Sequence, residues 1–223
     1  LRSSSVCPHF NLQKYPYLLL KAPLVKELRS DDTAELHFIH GPVEAFPPEG
    51  FETFFGLGPY FRFIEPAKTE KGGSDVLDRI RNFPKGATAE DQMRELMRPE
   101  ASPEQAYDAD ASSDDSSVGS SYQKSAPNQS AQNAMDYLYR IMEEDGPFDG
   151  IIGYSEGATV AATLLLHEQR RFETDGIPPM FKCALFFAGW PPMTPELDGL
   201  VLADESDLMI TIPTCHISEC KPT

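Results

Sequence analysis

Gly150-Ile151-Ile152-Gly153-Tyr154-Ser155-Glu156-Gly157-Ala158 is the stretch from which the fold of this chain can be read. Its last glycine closes a G-x-S-x-G pentapeptide, Gly153 to Gly157. So short a pattern arises by accident, and the flanks decide its meaning. Ile151 and Ile152 form a brief apolar run behind the turn residues Gly146-Pro147, the signature of a buried parallel strand. After Ser155, the residues Ala158, Ala161, Ala162, Leu165 and Leu166 recur at helical spacing, and the charged cluster Glu168, Arg170, Arg171 follows. Strand, tight turn and helix are predicted in that order.

That order has a chemical use. A serine on the sharp bend between a strand and a helix holds its hydroxyl clear of the backbone, within reach of a substrate carbonyl. The flanking glycines let helix and strand approach without Cβ clashes. The backbone N–H of Glu156, at the helix start, is placed to stabilise an oxyanion with help from the helix dipole. Ser155 is therefore the candidate nucleophile and Glu156 the candidate oxyanion donor. The plain structural alternative is a Gly-Ser turn into a core helix.

The run Gly146–Ala158 resembles the elbow of the FSH-type serine hydrolases, α/β-hydrolases common in fungi. Leu36–Glu44, Gly58–Phe63, Ala184–Gly189 and Ile212–Ile217 are similar to further segments of that family. The likeness spans roughly residues 24 to 218, with one polar insert. It implies an α/β-hydrolase fold: a parallel-strand sheet with helices on both faces, incomplete at the N- and C-termini. It also implies a strand near the start that ends in a His-Gly-rich turn lending a second oxyanion N–H; nothing in residues 1–20 matches it.

Composition narrows the partners. With 223 residues, one domain with a sizeable core is expected. A net charge of −16 repels nucleic acid and anionic membrane surfaces. No apolar run approaches the roughly 20 residues of a membrane helix, and residues 1–20 lack the apolar region of a signal peptide. Cys7, Cys183, Cys215 and Cys220 show no metal-ligand spacing and read as reduced, mostly buried thiols of a cytoplasmic protein. Residue 1 is leucine, so the chain reads as processed, engineered or incomplete at that end.

Leu36 to His40 reads as a strand closed by Gly41-Pro42. Between Phe46 and Phe63 lie the aromatics Phe46, Phe51, Phe54, Phe55, Tyr60, Phe61 and Phe63, read chiefly as a loop folded onto the core, with an acyl-binding wall as the functional alternative. Asp75–Phe83 and Thr88–Arg98 read as helices, and Thr88 with Asp91 makes a weak capping pair. These helices can serve as a lid. From about 99 to 130 the composition turns to serine and aspartate, which cannot offset its ordering entropy, so a solvated acidic insert is expected; a phosphorylated loop is the alternative. Ala134, Leu138, Ile141 and Met142 then share a helical face that stops at Gly146-Pro147. Cys183–Ala188 and Thr214–Ser218 read as later strands. Trp190 stands at the expected active-site edge, either lining a pocket or packing.

A serine needs a base, and the base a carboxylate. In α/β-hydrolases both follow the serine, acid first. Only His167 and His216 follow here. His167 lies eleven residues into the helix, about 16 Å from its start, and His216 reads as a packed strand residue. The resemblance places an aspartate shortly after the last strand, where this chain has Pro222; Glu219 is a substitute acid without a histidine beyond it. His40 is a base only if it crosses from another strand, and reads more simply as a turn residue. The triad Asp and His are thus absent from the chain as read. Two functions remain. The first is a hydrolase of carboxylic esters or thioesters through an acyl-enzyme on Ser155, with a small-molecule partner, no metal and no cofactor. Relatives in fungal secondary metabolism release polyketide chains, which suits an acyl thioester. The second is a non-catalytic α/β-hydrolase relative. The oligomeric state is open.

Overall fold

A computed structural model describes residues 4–8, 23–30, 33–46, 52–53, 58–65, 88–97 and 128–218. Residues 1–66 and 125–223 form one compact unit and residues 67–124 a second. In the first lie β1 (Ser4–Pro8), α1 (Pro23–Ser30), β2 (Glu35–Ile39), β3 (Val43–Ala45) and β4 (Tyr60–Arg62). Beyond the second unit follow α3 (Gln129–Asp145), β5 (Gly150–Tyr154), α4 (Glu156–Asp175), β6 (Cys183–Phe187) and β7 (Thr214–Ile217). The second unit contributes α2 (Ala89–Met97), whose Asp91 N–H donates to Thr88 Oγ1 at 3.0 Å, the capping contact expected there. The expected helix Asp75–Phe83 and nearly all of the acidic insert lie outside the described residues.

Among the described residues the main sheet has five strands in the order β2-β1-β5-β6-β7, every neighbouring pair parallel. This is the α/β-hydrolase arrangement, with β3 and β4 set apart as a small antiparallel pair. The chain builds outward from β1 to β2 on one side, then from β5 through β6 to β7 on the other. The direction of winding therefore reverses between β1 and β5. Open α/β sheets gather ligands outside the strand ends at such a reversal.

No strand was readable in residues 1–20, yet Ser4–Pro8 lies centrally, pairing Val6 with both His37 and Ile151. Its sequence, Ser-Ser-Val-Cys-Pro, has too little apolar character to show a strand by composition. The turn after it lies outside the described residues.

The core forms where α3 and α4 meet the sheet. Met135, Leu138, Ile151, Val160 and Leu164 are each no more than 2% exposed, and burying each side chain contributes about 1.5–3 kcal/mol. α4 is buried almost all round through its first three turns, Gly157 to Leu166 apart from Thr159, as befits a helix enclosed by its own domain. Its end is set by Gly176, whose φ of 70° is the left-handed conformation of a helix terminus. α3 starts at Gln129, five residues before its first expected core residue, because Asn128 caps it by accepting from Ser130 and Ala131 N–H. It stops at Gly146, as the Gly-Pro pair predicts.

Glu168 of α4 is a buried exception, 5% exposed. Its Oε1 accepts from Met180 N–H at 2.9 Å, while Oε2 is enclosed with no hydrogen-bond partner among the described residues. Burial pushes its pKa above the ordinary carboxylate value, with backbone N–H and Arg171 opposing. The folded state then binds this proton more tightly than the unfolded chain. Its contribution to stability is present below the unfolded pKa and is lost as pH rises through the folded one. Glu168→Gln should remove that component. Urea midpoints between pH 4.5 and 7.5 are expected to fall less with pH in the variant than in the native chain. Parallel curves would contradict this.

Candidate active site

The bend at Ser155 carries the backbone signature that the sequence demands. Ser155 has φ 52° and ψ −123°, a conformation that a side-chain-bearing residue holds only when its surroundings enforce it. They do so from two sides. Its N–H donates to Phe187 O of β6 at 2.8 Å, and its C=O accepts from Ala158 and Thr159 N–H at 2.9 and 3.3 Å. Behind it, Gly153 lies so close to α4 that a Cβ there would stand 2.6 Å from Gly157 O. Ser155 is half-buried, its side chain makes no capping bond, and it sits at the carboxyl end of β5 beside the winding reversal. Glu156 opens α4, so its N–H has no acceptor within the helix.

The neighbouring strand bends in concert. Pairing of Tyr154 with Phe187 sets Ala188 beside Ser155, and Ala188 too has a positive φ, 48°. Ala188 N–H donates to Ile217 O at 2.9 Å. The chain then passes Gly189, where a Cβ would stand 2.7 Å from the Ala158 methyl carbon. Next comes Trp190, whose backbone is held by Thr159 Oγ1, donating to Trp190 O at 3.1 Å and accepting from its N–H at 2.9 Å. Thr163 Oγ1 accepts from Met193 N–H at 2.9 Å. Two threonines one helical turn apart thus hold the loop after β6 against the elbow helix. Trp190 is half-buried, and its backbone position is fixed from the first turns of α4.

The end of β4 meets the elbow through the Glu156 side chain. The Glu156 carboxylate accepts from Phe63 N–H at 3.2 Å and faces Arg62 Nη2 at 3.5 Å. Sequence reading missed this contact, for 93 residues separate the partners and the pentapeptide says nothing about where the Glu156 side chain goes. Of the aromatics in this region, Tyr60 and Phe63 enter the core, Phe61 stands against the His40 ring and Phe46 is 96% exposed. Phe51, Phe54 and Phe55 lie outside the described residues.

The four described histidines are engaged away from Ser155. His40 directly follows β2, and β1 lies between β2 and β5, so two strand spacings, about 10 Å, separate those two strands. The His40 Nδ1 lies 2.7 Å from Gly41 O. His37 pairs with Asp145 at 3.4 Å. His167 Nδ1 lies 2.9 Å from the Tyr139 hydroxyl; burial and then Arg171 lower its pKa, while burial pushes Tyr139 up to about 12. His216 tilts against Phe186 with centroids 5.0 Å apart. It was expected to be packed, and one ring face is, but all of β7 is exposed because it is the outermost described strand. For the same reason Cys215 is an exposed thiol, and Cys183 is exposed also, correcting their expected burial. His9, Glu219 and Pro222 lie outside the described residues. Among the described residues no group of three or more His, Cys, Asp or Glu side chains is arranged to hold a metal. No described helix is long and apolar enough to cross a membrane.

Hydrolase phiM of Talaromyces stipitatus is 33% identical over 91 residues, covering 40% of this chain and 36% of that protein. Esterase FUS5 of Gibberella moniliformis is 37% identical over 92 residues, covering 41% of this chain and 38% of the relative. Esterase alnB of Emericella nidulans is 40% identical over 97 residues, covering 41% and 33%. The matched stretch spans well under half the length of each of these relatives. The profile described as Serine hydrolase (FSH1) matches residues 80–218, which take in the elbow, the Thr159–Trp190 clasp and β7. By that match the chain belongs to the FSH1 family of serine hydrolases.

Proposed function

We propose that this chain carries the nucleophile of a carboxylic ester or thioester hydrolase, acting through an acyl-enzyme on Ser155 with the Glu156 backbone N–H as an oxyanion donor. The observation that carries the proposal is the enforced φ of 52° at the strand–helix bend, beside the winding reversal. The serine oxygen would attack the substrate carbonyl as its proton passes to a base and on to the departing alcohol or thiol, leaving the acyl group on Ser155, and charge developing on the carbonyl oxygen would meet an N–H that has no acceptor within the helix. The names of the relatives, esterase and hydrolase, support an ester-type small molecule as substrate. A polyketide-type acyl chain in a cytoplasmic fungal pathway is the substrate class that the family resemblance favours. The acidic insert at about 99–130 belongs to the same reading as a solvated elaboration of one α/β-hydrolase domain.

A second reading, a non-catalytic relative, is favoured by one observation: every described histidine is engaged elsewhere. A tagged fluorophosphonate separates the two. Labelling that disappears in Ser155→Ala is expected for an activated serine. Labelling no stronger than that of the denatured protein would leave the fold without the chemistry.

A further inference from the structure

We infer that Glu156 has a second duty beyond its backbone: its side chain is a positioning residue that fixes its own N–H toward the oxyanion site. The inference rests on Ser155 being the nucleophile and concerns what holds the donor still. An oxyanion donor is useful only if its direction is set before the charge appears. Here the direction of the Ser155–Glu156 peptide follows from ψ −123° at Ser155, a sparsely populated value that must be held from outside. The bonds to Phe187, Ala158 and Thr159 hold the serine side of that peptide. On the far side, the structure assigns the task to the Glu156 carboxylate.

That carboxylate reaches out of α4 to the end of β4. Oε2 accepts from Phe63 N–H at 3.2 Å, and Oε1 faces Arg62 Nη2 at 3.5 Å. An exposed ion pair alone would contribute little, and both side chains here are over a third exposed. The amide bond is different, for it is charge-assisted and comes from a fixed backbone group. The Arg62–Phe63 peptide is itself backed by Gly41, whose missing side chain leaves room for Arg62 C and O to press against it. Tyr137 of α3 steadies the same turn, donating to His40 O at 3.0 Å. The donor peptide is thus gripped between β6 on one side and a braced hairpin end on the other.

The test uses Glu156→Ala and Glu156→Gln in the full chain, with amide hydrogen exchange at Phe63 read beside the fluorophosphonate labelling rate. Glutamine keeps one acceptor oxygen for Phe63. The alanine variant is expected to exchange the Phe63 amide at least about tenfold faster and to label about tenfold more slowly, a fraction of the loss for removing a donor outright. The glutamine variant should restore both to within about threefold. Unchanged exchange in Glu156→Ala overturns the inference, as does equal slowing of labelling in both variants when only alanine releases Phe63. If the native chain is not labelled at all, the Ser155 reading falls by itself. What then stands, if alanine and not glutamine frees the Phe63 amide, is the tie between the Glu156 carboxylate and the end of β4, and that tie falls if neither variant frees it.

Discussion

Gly153→Val is expected to cost about 3 kcal/mol or more of folding free energy, the upper end of what overpacking a core causes. The atoms that a Cβ would meet are Gly157 O at 2.6 Å and Ala158 N at 2.7 Å, with Ala158 Cα closer still. All are backbone, so no rotamer change relieves them. Either the first turn of α4 withdraws from β5 or the strand does, and both moves open the core around Val160, Ala161 and Leu164. Against a total of about 5–15 kcal/mol for an ordinary domain, the loss is a large share. The protein has one tryptophan, Trp190, which the Thr159 clasp ties to the same helix, so its fluorescence follows the transition. At a urea slope of about 1–3 kcal/mol per molar, the midpoint should drop by 1 M or more. Gly176→Ala is the control. Its Cβ meets open space, and only its φ of 70° opposes substitution, so it should cost about 1 kcal/mol. A loss below about 1 kcal/mol at Gly153 would mean that α4 does not sit as close to β5 as described here.

The elbow was legible because everything that builds it lies within one short window. Ile151 and Ile152 mark the strand, the glycines mark the close approach, and Ala158 to Leu166 mark the buried helix. Local sequence carries local structure well. What it hid was relational. β1 escaped notice since Val6 and Cys7 alone carry its apolar character, and its central place comes from its partners β2 and β5. The burial of Cys183 and Cys215 was misjudged for the opposite reason: apolar β-branched and aromatic neighbours make a strand, but nothing in Thr214–Ile217 tells whether another layer covers it. The candidate site divides the same way. Ser155 and the Glu156 N–H follow from the pentapeptide, whereas the Glu156 side chain meets Phe63 only through the fold. Thr159 and Thr163 looked like ordinary helix residues, and their hydroxyls turn out to hold the loop after β6.

Gly41→Ala is the second substitution expected to act strongly, and it acts from a distance. A Cβ at residue 41 would fall inside contact range of Arg62 C, Arg62 O and Phe63 N. The hairpin end must then move outward, at about 2–3 kcal/mol, since this too is overpacking against backbone. It differs from Gly153 in what moves. Gly153 faces the elbow helix, whereas Gly41 backs the peptide that the Glu156 carboxylate holds. Displacing that peptide lengthens the Phe63 bond and frees the carboxylate without touching Ser155 itself. Gly41→Ala should therefore lower stability and also reproduce the faster Phe63 exchange expected of Glu156→Ala. In the double variant the two losses should fail to add, because the bond can be broken only once. Urea midpoints of the native chain, both single variants and the double variant close that cycle. Full additivity would show that Gly41 and Glu156 act on separate parts of the structure, and the hairpin would lose its place as the brace of the elbow.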